Sequence, residues 1–284
     1  MANPDHVAHL KRGAEHWTAW RQAQPGLVPD LAGLVLAGVD LQGFELAAVD
    51  ARGADWSGCR AQGANFSQGN WVQVTLRGMD GRSLQASQGN FVGASLAGAN
   101  LQAADLRGAN FLGADLAQAN LMGADLSGAD FSAANLSGAN LSGALFNRGL
   151  ARHASFAGAL LHGVSLCETD LSDSNLSDAS LVGAQLYRTV LQGACLVGAY
   201  VTQAYAVSAD FRQANLAGAD FRWANLHQAN LQSCAMEDAC FLYANLRLAQ
   251  VAGTVLAELP QEAMDWCKPW EAGGNYDGRS PKLE

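Results

Sequence analysis

One period governs this sequence. At every fifth position from Leu31 to Leu256 stands a centre that is almost always large and apolar. Of these 46 centres 26 are Leu, nine Phe, two Trp, two Val and one Met, with five Ala and one Gly completing the set. Nine of the ten Phe in the protein fall on this single phase. The residue two before the centre is Ala in 28 units, the residue just before is usually Asp, Asn or Ser, and the residue two after is Gly in 22. Residues 99–131, ANLQAADLRGANFLGADLAQANLMGADLSGADF, run through the pattern without a break.

A period of five fits neither a helix at 3.6 residues per turn nor a strand at two. A helix of this sequence would smear its Leu around the circumference, and each interior Gly would cost about 1 kcal/mol relative to Ala. A flat strand would send successive centres to opposite faces. A chain that turns a corner every five residues avoids both faults. The centre and the residue two before it then point inward, and the other three point out. The residue two after the centre falls at the third place of a type II turn, where φ is positive and Gly is unstrained. Units with Gly there are expected to make type II turns, and units with Gln, Trp or Tyr there to favour other turn types.

The unit, written A(D/N)LXX, resembles that of the pentapeptide-repeat family over residues 29–258, about four-fifths of the chain. The resemblance implies an all-β solenoid, a right-handed quadrilateral β-helix of about 11–12 coils with short α-helical caps. Four units would make one coil, residues twenty apart would stack, and at about 4.8 Å per coil the rod would be roughly 55 Å long. Trp71, Phe91, Phe111 and Phe131 would then form one internal ladder. Small centres come with enlarged partners two residues earlier, as in Val49 with Ala51, Cys59 with Ala61, Met79 with Gly81 and Leu84 with Ala86. Two positions sharing one close-packed interior require this reciprocity. Ala151 with Gly149, and Ala206 with Ala204, lack it, so a local narrowing or small void is expected at each.

A solenoid needs its ends covered. Residues 5–24 read as a helix with Asp5 as N-cap and Val7, Leu10, Ala14 and Trp17 as its apolar stripe, so residues 1–28 form a cap resembling that of many family members. Residues 259–270 read as a short helix placing Met264 and Trp266 on the last coil. The resemblance offers an alternative to capping for this segment, pairing two copies in a homodimer. Residues 271–284 read as a flexible tail.

Little in the sequence points to chemistry. The six Cys form no CxxC pair and no zinc-like spacing, so free thiols in a reducing cytoplasm are expected. No run of 18 apolar residues suggests a membrane span. A net charge of −9 disfavours direct binding to nucleic acid. Asp105, Asp115, Asp125 and Asp130 share a slot that Asn fills equally well, which points to a structural role and away from acid–base work. His6, His9 and His16 on the cap, and His153, His162 and His227 in outward slots, read as surface residues. No nucleophile motif, phosphate loop or HExxH pattern is present. No catalytic residue, cofactor or metal is expected.

Function must therefore sit on the outward positions. The slot before the centre turns apolar at Leu145, Leu150 and Leu160, and again at Val190, Cys195, Tyr200 and Tyr205. Trp223 and Tyr243, outward and twenty apart, should stack. Tyr200, Tyr205, Trp223, Tyr243, Leu145 and Leu160 form a candidate partner-contact surface. Glu168, Asp170, Asp173 and Asp178 form a candidate acidic patch. The expectation is a non-enzymatic protein-binding rod. The resemblance implies a narrower role, since its best-understood members mimic B-form DNA and protect a type II topoisomerase, DNA gyrase or topoisomerase IV, from poisons. The rod's diameter and acidity permit that role, the best specific reading, and charge density tempers it: residues 29–258 carry 19 Asp/Glu and 11 Arg, a net of −8, whereas duplex DNA of that length carries about 30 charges. The alternative is a general interaction scaffold whose partner binds the aromatic corner.

Overall fold

The computed structural model describes residues 2–258, so the expected C-terminal cap over 259–270 and the tail beyond it lie outside the described residues. Parallel bridges join each residue just before a centre to the one twenty residues on, from Asp30–Asp50 to Asn230–Gln250 without a break in register. Twenty residues hold four five-residue units, so each coil has four sides. Each bridge is a single residue wide because the corner arrives before a longer strand can form.

The unit Ala104–Gly108 shows where every backbone N–H goes. Asp105 donates to the Leu84 carbonyl (2.8 Å) in the coil before, and Leu106 and Gly108 donate to Asp125 (2.8 Å) and Ser127 (3.0 Å) in the coil after. Ala104 closes the preceding turn onto the Leu101 carbonyl (3.1 Å). The fifth N–H, of Arg107, has no backbone partner and donates to the Asp105 carboxylate (3.2 Å). Unpaired buried amides are costly, and an Asp or Asn oxygen reaching two residues forward meets that need. Asn serves as well as Asp because only an acceptor oxygen is required. Asn110 accepts from Leu112 (3.0 Å) as Asp125 accepts from Ser127 (3.0 Å).

The turns correct the expectation of mixed types. All 45 residues two after a centre, from Gly33 to Gly253, have φ between 54° and 74°, and 23 of them are not Gly. From Gly33 to Ser233 their N–H groups are held by the coil after, and the last four turns keep the same φ through closing bonds such as Ala244 to Phe241 (3.0 Å). Gln118 donates to Ser137 (2.9 Å) and Trp223 to Leu242 (3.2 Å), as Gly108 does to Ser127. Ladder bonds and turn-closing bonds together fix the backbone whatever the side chain, against a left-handed penalty of about 1–2 kcal/mol per residue. None of the 23 is β-branched, the class for which that conformation is worst.

Centres and the residues two before them fill the interior. The ladder forms as expected: Trp71–Phe91, Phe91–Phe111 and Phe111–Phe131 lie 6.1, 4.8 and 4.6 Å apart and within 11° of parallel. Met79 Cε occupies the place a side chain at Gly81 would need, 2.8 Å from where its Cβ would stand. The same device overturns the void expected at Gly149 and Ala151. A Cβ at Gly149 would stand 2.1 Å from Phe146, so the preceding centre has leaned into the space. Phe146 meets Phe131 edge-on at 5.3 Å. Ala206 is fully buried.

The N-terminal segment is two helices, α1 (Pro4–Leu10) and α2 (Ala14–Gln22), where one was expected. Gly13, at φ 98°, breaks them. The N-cap is Asn3, which accepts from the Asp5 amide (2.9 Å), and Pro4 takes the first turn. Trp17 and Leu10 are buried against the first coil. His6 is buried too, against the expectation of a surface residue. At the other end the last bridge reaches Gln250, and the chain leaves the coil as a 3₁₀ turn, Val255–Glu258.

Candidate partner-binding surface

The outer surface changes character along the rod. In the column that runs Asp40, Arg60, Asp80, Asn100, Asn120 and Asn140, the next members are Leu160, Ser180 and Tyr200. In the adjoining column, Asp105 and Asp125 give way to Leu145, Ser165, Gln185 and Tyr205. Trp223 and Tyr243 stand on the corner between these two sides. Their rings stack at 4.2 Å and 22°, yet 47% and 38% of each residue stays exposed. Tyr200 and Tyr205 are 54% and 40% exposed.

The six residues expected to share a contact surface do not all meet. Trp223 and Tyr243 touch, with Tyr205 and Tyr200 on the two flanking columns. Leu160 lies two coils below Tyr200 with Ser180 between, and Leu145 lies three coils below Tyr205. Both leucines are exposed, but they stand apart from the aromatic group. One further member went unnoticed in the sequence, Leu242, exposed beside Tyr243 just after a centre, while Tyr187, also exposed and just after a centre, stands on the next corner. Apolar residues in that slot were the available signal. The Arg188 guanidinium lies over the Tyr187 ring at 5.9 Å.

Residue type singles out the corner pair: of the 23 turn residues that are not Gly, Trp223 and Tyr243 are the two that carry a Trp or Tyr ring. Trp223 and Tyr243 have φ of 63° and 62°, in a slot where Gly is common. A bulky aromatic held at positive φ is rare, and such strain gathers at functional positions.

The acidic residues do not make one patch. Glu168, Asp170, Asp173 and Asp178 follow one another around a single coil, and three of them face a basic group. Glu168 pairs with Arg148 (2.9 Å), Asp170 with Arg152 (2.6 Å), and Asp173 lies 3.9 Å from His153. The same local neutralisation recurs along the rod. Asp and Arg flanking one centre pair at Asp50–Arg52, Asp80–Arg82, Asp105–Arg107, Asp210–Arg212 and Asp220–Arg222, all between 2.6 and 2.9 Å. At Asp105 and Asp220 the arginine hydrogen bond holds the carboxyl below its usual range, against the opposing effect of burial. This Asp-x-Arg spacing was readable in the sequence as two neighbours on one side.

Among the described residues no group of three or more His, Cys, Asp or Glu is arranged to hold a metal. Burial pushes the thiols of Cys59 and Cys234 up to about 12 and about 11, which suppresses the reactive thiolate.

A packed interior without working groups, wrapped by four bridged sides, defines a solenoid that presents side chains outward. The chain belongs to the pentapeptide-repeat family: eight copies of the model for pentapeptide repeats match, over residues 30–68, 83–111, 89–128, 109–148, 154–193, 194–232 and 219–250. No curated protein matches. Among solved structures the chain is similar to HetL, a pentapeptide repeat protein involved in heterocyst differentiation regulation in the cyanobacterium Nostoc sp. strain PCC 7120. They share 29% identity over 78% of this chain and 96% of that one, with a TM-score of 0.40. A pentapeptide repeat protein of the Arabidopsis thaliana thylakoid lumen is 27% identical over 39% of this chain and 71% of its own, at a TM-score of 0.28. QnrB1, a plasmid-mediated fluoroquinolone resistance protein, is 18% identical over 81% of this chain and 96% of its own, at a TM-score of 0.31.

Proposed function

We propose that this protein is a non-enzymatic scaffold, a right-handed quadrilateral β-helix that docks a protein partner on the corner carrying Trp223 and Tyr243. The stacked, exposed aromatic pair on adjacent coils is the observation that carries the reading. Aromatic side chains dominate the energetics of protein contacts. Tyr200, Tyr205 and Leu242 extend the surface. Trp223→Gly tests it, because Gly suits the turn. Affinity capture should recover a partner with the wild-type rod and lose it with the variant, while the variant's unfolding midpoint holds or rises. A variant that keeps every captured partner would sink the reading.

A narrower role, protection of DNA gyrase or topoisomerase IV by DNA mimicry, we rank second. It requires a continuous acidic stripe, and eight of the eleven Arg in residues 29–258 pair with carboxylates. A supercoiling assay with and without a quinolone-type poison tests this role. Protection at micromolar protein or below would raise it above the scaffold reading, and no effect in either arm would remove it.

A further inference from the structure

We propose that the N-terminal cap is an acid-sensitive closure of the first coil, released when the imidazoles of His6 and of the His9–His16 pair take up protons. In every later coil the residue before the centre has both its N–H and its C=O bonded to the coil before, as Asp50 donates to Pro29 (2.9 Å) and accepts from Leu31 (2.7 Å). The first coil has no coil beneath it, and the cap supplies substitutes. The Asn3 amide donates to the Asp30 carbonyl (3.0 Å), and the Asp30 amide donates to His6 Nδ1 (2.9 Å). Trp17 Nε1 donates to Glu45 (2.7 Å) and Arg21 Nη2 to Ala47 (2.8 Å). Among the described residues the sides that begin at Val35 and Asp40 receive no such bond from the cap, so beside the packing of Leu10 and Trp17 its polar hold on the coil rests on these four hydrogen bonds.

One of these contacts depends on protonation. His6 Nδ1 accepts a hydrogen bond only while it is bare, and a protonated ring would set N–H against N–H. The second weak point joins the two helices. His9 Nδ1 and His16 Nε2 lie 2.9 Å apart in rings only 4° from parallel, so one of the two nitrogens must also be bare. Trp20 packs on His9 at 4.7 Å and on His6 at 5.3 Å, linking both points. The charged groups around them are Asp5 on α1, Arg12 just after it, His16 on α2 and Asp30 on the first coil. His9 sits below its ordinary value, first through desolvation and then through the nearby His16 and Arg12, with Asp5 opposing. A histidine depressed in the folded state binds fewer protons there than in the open state. Its contribution is therefore complete above the open-state value of about 6.5 and drains away as pH falls below it.

Amide exchange followed by mass spectrometry, corrected for the intrinsic pH dependence of exchange, tests the proposal on the full chain. Between pH 7.5 and 5 protection in residues 2–24 should fall at least tenfold while residues 50–230 keep theirs. His6→Asn with His16→Gln places neutral amide groups near the same positions and should abolish the transition. An unchanged wild-type cap at pH 5, or the same transition in the double variant, overturns the proposal. If the double variant's cap is already open at pH 7.5, the wild-type histidine ring resonances decide. Titration of His6 together with loss of protection supports the closure, and titration with protection intact overturns it.

Discussion

Coils built from residues 30–140 and coils built from residues 145–250 share one backbone and differ in the slot before the centre. In the first region 16 of 23 slots hold an Asp or Asn whose oxygen accepts the amide two residues on. In the second only eight of 22 do. Leucine, tyrosine, valine or cysteine replaces it in eight slots of the second region. The coil survives because four of five amides per unit are bonded through the backbone, so this slot tolerates exchange. The first region uses it for self-satisfaction, and the second exposes apolar surface there. A rod selected only for stability would have no reason to change midway.

The largest expected effect separates interior from exterior. Phe111→Ala removes a fully buried ring from the ladder and should cost about 3–5 kcal/mol in urea unfolding. Trp223→Ala, on the corner, should cost under about 1 kcal/mol. Similar losses for both would erase the distinction between packing and display. Next comes the slot itself. Asn110→Ala orphans the Leu112 amide and should cost about 0.5–2 kcal/mol, whereas Leu160→Asn should gain about 0.5–1 kcal/mol by supplying the missing acceptor. A loss at Leu160 would mean that its side chain supports the fold. The turns should respond alike in both regions: Gln118→Gly and Gln203→Gly should each stabilise by up to about 1 kcal/mol, relief of left-handed strain being partly offset by glycine's entropy. Unequal responses would show that the ladder holds one region less firmly.

The smallest effect is in acid. The depressed carboxyls of Asp50, Asp80, Asp105 and Asp220 contribute stability that is present above the unfolded value near 3.9 and lost as pH falls through the folded one. These pairs are partly exposed, so each should contribute under about 1 kcal/mol. Unfolding free energy of the coils should be flat from pH 7 to 5 and decline only below about pH 4. A decline of the coils between pH 7 and 5 would point to other groups.

The coil was legible in the sequence because a five-residue period leaves one economical geometry, and Phe91, Phe111 and Phe131 declared their ladder by spacing alone. The turn at Trp223 was not legible from its residue type, because its φ is imposed by a bond to the next coil. The filling of Gly149 was hidden for a related reason: Phe146 belongs to another side, and only three dimensions bring it across. In the cap, the Asn3-Pro4 start and Gly13 were local signals, but the burial of His6 depends on what the first coil lacks. On the surface, the apolar slots stood out at once. Which of them meet followed only from stacking, which joins Trp223 to Tyr243 and leaves Leu145 and Leu160 apart.

The unbroken register has a geometric consequence. Deleting twenty residues from the middle would shorten the rod by about 4.8 Å and leave the aromatic corner facing the same compass direction relative to the cap. Deleting five would barely alter its length, by about 1.2 Å, yet swing that corner through a quarter turn. Length and bearing are thus encoded separately, and a partner that grips both ends would read the bearing in steps of five residues.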